Sequence, residues 1–210
     1  MPTPHHEASL ALAKLDPIMA DLVALHGPMK VGRRPVVDRR FEQLAESIAY
    51  QQLAGRAAAT IWGRVRGQYG AGPLDAAEVL ATPEESLRAA GLSRAKVAAL
   101  LDLARHVDDG TLRLDRAGRL PDDVVIDQLV QVRGIGRWTA QMFLLFTLQR
   151  LDVWPAGDFG VRMGYRNAYG FTEAPTEREL VELGERFRPY RSVAAWYCWR
   201  AADSTGRSGD

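Results

Sequence analysis

The sequence predicts an all-α fold, and three observations carry that expectation. Apolar residues recur at helical spacing along most of the 210-residue chain. Helix start and stop signals bracket those stretches, while strand signals are scarce. No internal repeat, low-complexity segment or long linker interrupts the pattern, so the chain reads as one compact domain or two intimately packed lobes.

The elements follow in order. Phe41, Leu44, Ala45, Ile48 and Ala49 fall at i, i+3, i+4, i+7 and i+8, which is one buried helix stripe. Arg56 to Gln68 continues as a second helix with Ile61 and Val65 on one face, and Gly70-Ala71-Gly72-Pro73 ends it. Thr82-Pro83-Glu84-Glu85 reads as a capping box with proline at the first helical position. Ser93 caps a helix carrying Val97, Leu100, Leu101, Ala104 and Val107, closed by Asp108-Asp109-Gly110. Pro121 opens a helix holding Val125, Leu129 and Val132. Asp158 starts a helix that ends near Gly170, Thr176-x-x-Glu179 is a second capping box, and Pro189 begins the last helix. The tail Ser204 to Asp210 is expected to be disordered.

Bulk properties remove several classes of function. No uninterrupted apolar run reaches the roughly 18 residues of a membrane span, and the N-terminus does not read as a signal peptide, so a cytoplasmic protein without a membrane partner is expected. His5 and His6 read as a solvated tail. Cys198 is the only cysteine, which leaves no disulfide framework, no zinc cluster and no iron–sulfur cluster. The net charge of +1 gives no global attraction to a polyanion. Three of the 27 basic residues are lysines (Lys14, Lys30 and Lys96), so arginine dominates, a bias of composition rather than of function. Locally, Arg133, Arg137, Arg150, Arg162 and Arg166 face only Asp152 and Asp158 between Val132 and Gly170, a segment suited either to a polyanion or to plain solvation.

Val132 to Phe146 reads VRGIGRWTAQMFLLF, an apolar helix entered through Gly134-Ile135-Gly136 rather than through a capping side chain. Glycines remove Cβ atoms that would block a close neighbour, and they permit positive φ. Amides at the following helix N-terminus then point outward with the helix dipole behind them, a site for one phosphate oxygen. Ile135 pins the turn to the core, Arg137 adds charge, and the Thr139 hydroxyl is within reach of the same phosphate. A tight corner between two helices, needing both glycines for packing alone, is the other reading of the turn.

The longer pattern L-x-x-V-x-G-I-G-x-x-T-A resembles the helix-hairpin-helix motif of DNA-binding proteins. With the DVWPAGDFGVR that follows, it resembles the helix-hairpin-helix (HhH-GPD) DNA glycosylase superfamily. GIGRWTA in particular is similar to the 3-methyladenine DNA glycosylase II, or AlkA-like, branch. The likeness runs from about Phe41 to Arg200 and includes YQQLAGRAA, GLSRAK and YRSVAAWYCW. It implies two helical lobes with the active-site cleft between them and no N-terminal β-domain. The expected division is about 45–151 for one lobe and 1–44 plus 152–204 for the other, with Asp158 at the cleft mouth.

The resemblance also implies the chemistry. Asp158 matches the essential acid at the start of the helix after the hairpin, where a carboxylate stabilises the oxocarbenium-like sugar and orients water. Read without the family, Asp158 is a good helix N-cap, and the two roles are compatible. Relatives that also cleave the strand use a lysine in the second hairpin helix. The matching residue here is Trp138, and no lysine follows Lys96, so no lyase step is expected. Trp138 and Trp199 match pocket tryptophans that would stack on cationic alkylated purines, with Met142 one turn on from Trp138. Trp199 reads equally as core, and Tyr50, Trp62, Trp154 and Trp196 read as packing. Gln51-Gln52-Leu53 matches the loop that fills the gap left by a flipped base, with Leu53 either the wedge or an ordinary buried leucine. Relatives hold a structural monovalent cation, Na+ or K+, on hairpin carbonyls that match Val130, Val132 and Ile135. The expected protein is a monomeric, monofunctional glycosylase excising alkylated purines from double-stranded DNA without a catalytic cofactor. The alternative is a non-catalytic helix-hairpin-helix module that binds DNA or damage.

Overall fold

The computed structural model describes residues 3–32, 34–53 and 55–205. In chain order the helices are α1 (Pro4–Leu15), α2 (Pro17–His26), α3 (Arg40–Tyr50), α4 (Gly55–Arg66), α5 (Ala76–Ala81) and α6 (Glu84–Ala89). They continue as α7 (Arg94–Asp108), α8 (Asp122–Leu129), α9 (Arg137–Met142), α10 (Phe159–Tyr169), α11 (Glu177–Gly184) and α12 (Arg191–Thr205). A π-helical turn, Phe143–Thr147, extends α9. The fold is all-α: no strand occurs among the described residues, and no helix is long and apolar enough to cross a membrane.

Helix starts follow local chemistry. Side-chain oxygens of Ser93, Asp158 and Thr176 accept the backbone N–H three residues on, and Glu179 closes the Thr176 capping box. α1 and α2 lie outside the helices expected from periodicity, yet they open the same way. Thr3 and Asp16 cap them, each followed by proline at the first helical position. The solvated tail expected at His5 and His6 is therefore corrected: His5 is buried within α1, which packs on α2 and α12, and desolvation lowers its pKa.

Two further expectations change. Thr82 does not cap α6; it ends α5, donating its hydroxyl to the Glu78 carbonyl at 2.8 Å and pairing with Tyr69 Oη at 2.9 Å. Pro83 becomes the N-cap of α6 without any side-chain hydrogen bond. The last helix begins at Arg191 rather than Pro189, because a turn closed by Tyr190 N–H on the Phe187 carbonyl (2.7 Å) precedes it. Of the tail expected to be disordered, Ser204 and Thr205 end α12, and 206–210 lie outside the described residues.

The chain forms two compact units, one from residues 34–143 and one from the described parts of 1–33 and 144–210. These boundaries differ from the expected 45 and 151. α3 belongs wholly to the first unit, because Arg40 is buried there with Nη1 donating to the Leu114 and Asp115 carbonyls at 2.6 and 3.2 Å. Residues 144–151 belong to the second, tied by Gln149 Nε2 to the Gly32 carbonyl and by Ser192 N–H to the Leu151 carbonyl, both 2.9 Å.

In the unit 34–143, the stripe Phe41, Leu44, Ala45, Ile48 and Ala49 is buried, and α3 packs on α4 and α7. Glu42 accepts from Arg66 Nε at 2.9 Å and Arg39 Nη1 at 3.2 Å, so a buried carboxylate has its charge matched. In the second unit α12 is the central helix, with Val193, Ala194, Ala195, Tyr197 and Cys198 all buried. It lies against α10 so closely that a Cβ on Gly164 would overlap the Cys198 carbonyl. Asp16 anchors the same core, accepting from Met19 N–H, Tyr169 Oη and Arg186 Nη2.

The two kinds of helix glycine predict opposite effects. Gly164→Ala must displace backbone and is expected to cost about 3 kcal/mol, a fall of roughly 10 °C in Tm. A Cβ on Gly63 meets nothing within 4 Å, so Gly63→Ala is expected to stabilise by about 0.5–1 kcal/mol. Thermal melts of both variants check the pair.

Candidate functional site

The turn from α8 to α9 is built by its two glycines for different reasons. Gly134 has φ +78°, the left-handed region, and a Cβ there would lie 3.0 Å from Ala99 Cβ on α7. Gly136 has φ −91°, and a Cβ there would meet nothing within 4 Å. Packing therefore explains Gly134 and not Gly136. Val132 and Ile135 are buried, Ile135 N–H donates to the Val132 carbonyl at 3.0 Å, and Arg133 N–H donates to Asp102 Oδ2 at 2.8 Å. Gly136 caps α9 with no side-chain acceptor, and its carbonyl takes the first helical bond, from Ala140 N–H. The result is an exposed helix start flanked by the exposed Arg133 and Arg137. Of the other arginines expected here, Arg162 Nε donates to the Pro175 carbonyl, and Arg166 holds Asn167.

Trp138 follows at once and is 51% exposed. With Thr139, Met142 and Gly134 it lines an open depression of about 500 Å³, whose other wall is Ser47, Tyr50, Gln51 and Gln52. Thr139 is buried and lines the depression. Tyr50, expected as packing, is a wall residue that sequence reasoning missed. The signal was present, because Tyr50 falls off the i, i+3, i+4 stripe of α3.

The loop after α3 is pinned from two sides. Lys96 Nζ donates to the Ala49 carbonyl at 2.8 Å, and burial lowers its pKa. Gln51 Nε2 donates to the Gly134 carbonyl at 2.9 Å. Gln52 has φ +56°, a strained value for a residue with a side chain, of the kind that persists where surroundings over-determine it. Leu53 is 38% exposed, which removes the reading of an ordinary buried leucine. Among the described residues no hydrogen bond falls on the Val130 or Ile135 carbonyls, and Val132 keeps one lone pair beyond its bond to Ile135.

In the other unit, Trp154-Pro155-Ala156-Gly157 turns tightly, with Asp158 N–H on the Pro155 carbonyl at 2.9 Å. Asp158 is half-buried, and its Oδ1 accepts from Val161 N–H and from Trp199 Nε1–H, each at 2.8 Å. The carboxylate is thus both an N-cap and a positioned group. Trp199 is half-buried and stacks on Phe146, centroids 5.8 Å apart and planes inclined by 27°. Phe146 gave no warning in the sequence, because it lies on the π turn, where the spacing shifts by a residue. Phe159, beside Asp158, is 73% exposed. Asp152 does other work, holding Arg188 at 2.8 Å and Arg191 at 2.7 Å. Trp62 and Trp154 are buried, and Trp196 packs edge-on to Tyr197. Cys198 is buried, and burial pushes its thiol up. No group of three His, Cys, Asp or Glu able to hold a metal occurs among the described residues.

Comparison with known proteins identifies the family. The family of HhH-GPD superfamily base excision DNA repair proteins matches residues 45–189. DNA-3-methyladenine glycosylase 1 of Schizosaccharomyces pombe is 33% identical over 198 residues, covering 93% of this chain and 87% of that protein. Among solved structures, the S. pombe 3-methyladenine DNA glycosylase Mag1 in complex with abasic DNA aligns with a TM-score of 0.82. Its identity is 34%, and 92% of this chain and 95% of that one are covered. A DNA-3-methyladenine glycosidase from Bacillus halodurans aligns with a TM-score of 0.84 and 31% identity over 98% of this chain and 92% of that one. Fold, hairpin and relatives agree, and the chain belongs to the HhH-GPD superfamily of base excision DNA repair proteins.

Proposed function

We propose that the protein is a monofunctional DNA glycosylase that flips alkylated purines out of duplex DNA and hydrolyses their N-glycosidic bond. The observation that carries this reading is Asp158, a half-exposed carboxylate fixed through Oδ1 by two donors. A module that only binds DNA needs no such group.

The hairpin amides after Gly136, with Arg133 and Arg137, grip a backbone phosphate. The carbonyls of Val130, Val132 and Ile135 are oxygen donors suited to a hard monovalent cation, which would add positive charge behind that phosphate. Leu53 and Gln52 fill the stack as the base leaves it. The extruded base stacks on Trp138 and Met142, Trp199 is a second candidate for stacking by resemblance, and a cationic ring is held most strongly. As the bond to the base stretches, positive charge grows at the sugar carbon, and Asp158 stabilises it and orients the attacking water. Alkylated bases leave readily, so the leaving group needs no strong acid. No amine stands at position 138 for a Schiff base, which supports hydrolysis without strand cleavage.

Three outcomes are expected. Wild-type protein releases bases from methylated duplex and leaves alkali-labile sites, and Asp158→Asn slows single-turnover release at least about 100-fold while DNA affinity stays within a few-fold. Unchanged release by Asp158→Asn would remove the mechanism. Trp138→Ala is expected to melt within a few degrees of wild type, since the side chain is exposed. Its excision of cationic lesions falls about 2- to 30-fold more than that of neutral ones. Equal losses for both lesion classes would sink the wall assignment. Gly136→Ala costs at most about 1 kcal/mol of stability but weakens duplex binding severalfold, whereas a glycine kept only for a tight corner would give the reverse.

A further inference from the structure

We infer that Trp199 is a positioning residue for Asp158, acting through its indole N–H, and that Gly160 exists to admit it. The inference rests on the glycosylase reading and assigns a role within that site.

α10 carries Gly160 and Gly164 one turn apart, on the same side of the helix. At Gly164 the backbone of α12 replaces a side chain, since a Cβ would overlap the Cys198 carbonyl. That contact fixes where the next residue, Trp199, must fall. Its indole lies over Gly160, where a Cβ would be 2.8 Å from Cδ1 and 3.2 Å from Nε1. The same Cβ would stand 3.2 Å from Asp158 Oδ1. Phe146 stacks on the ring, and Nε1 donates to Oδ1 at 2.8 Å.

The cap bond from Val161 N–H is local and would form at any helix start of this sequence. The indole N–H arrives from another helix and adds a directed donor to the same oxygen. Stabilising a charge at one carbon depends on a fixed distance and direction, so the aim of the carboxylate sets the rate more than its presence does. A ring kept only to stack on a base would not require a glycine beneath its N–H edge.

Trp199→Phe keeps the aromatic ring and deletes the donor. With methylated and neutral lesion duplexes, single-turnover excision is expected to fall about tenfold or more, equally for both. DNA Kd should stay within about twofold, since the hydrogen bond aims a group that acts only on the sugar in the transition state. Gly160→Ala, which displaces the ring without removing it, should reproduce the loss. A second readout needs no activity: of the five tryptophan indole signals in a 1H–15N spectrum, the one missing in Trp199→Phe should move upfield in Asp158→Ala and in Gly160→Ala. A Trp199→Phe protein that excises at the wild-type rate, or a Trp199 indole signal unmoved in Asp158→Ala, overturns the inference. A loss confined to cationic lesions overturns it in favour of a stacking wall. Wild-type protein that releases no base ends the glycosylase reading instead, and the indole signal then decides the contact alone.

Discussion

α12 rests on the bare backbone of α10 because residue 164 has no side chain, and most of the second unit depends on that contact. A helix that touches backbone cannot slide by a residue without driving a side chain into the space the carbonyl holds. With its register fixed, α12 distributes hydrogen bonds in several directions. Ser192 receives Val153 N–H and donates its own N–H to the Leu151 carbonyl, which shapes the approach to Asp158. Tyr197 Oη reaches the Gly27 carbonyl at the end of α2. Asn167 Nδ2 reaches back from α10 to the Ala201 carbonyl. Gly184 repeats the device elsewhere: a Cβ there would overlap the Trp154 indole, whose N–H bonds the Leu180 carbonyl at 2.7 Å.

The arginine-rich composition resolves into two populations. One is paired within the fold: Arg186 on Asp16, Arg188 and Arg191 on Asp152 and Glu185, Arg66 on Glu42, and Arg40 on loop carbonyls. A guanidinium fork suits this work, since it satisfies several acceptors at once without losing its charge. The other lies at the surface outside those pairs, and the exposed Arg133 and Arg137 beside the hairpin belong to it. A net charge of +1 is therefore an average over charges paired with one another and charges that face water.

Much of this was legible in the sequence. Caps at Ser93, Asp158 and Thr176 were readable because one oxygen three residues before a free amide is a local arrangement. The α3 stripe and the hairpin were readable because burial follows helical spacing. Long-range facts were not. Thr82 looked like a cap until α5, ending at Ala81, took its hydroxyl. α1 and α2 lacked a clean stripe, so only Thr3-Pro4 and Asp16-Pro17 announced them. Asp158, Trp138 and Met142 could be named from spacing and resemblance, and Tyr50 showed itself by lying off the α3 stripe, whereas Phe146 and Gly160 could not be singled out. Their importance arises from Trp199, 53 and 39 residues further along the chain, and no local window contains both partners.

The order in which the chain is made bears on the same architecture. Residues 34–143 are contiguous, so that unit can collapse on contacts within one stretch as synthesis proceeds. The other unit joins α1 and α2 to helices made last, through pairs such as Tyr197 with Gly27 and Arg186 with Asp16, each 170 residues apart. Closing a span of that length carries a large entropic penalty unless the intervening chain is already folded and its ends are held near each other. The contacts of α1 and α2 with α12 can form only once the last helix has been made, so the carboxylate-bearing core is expected to be completed late.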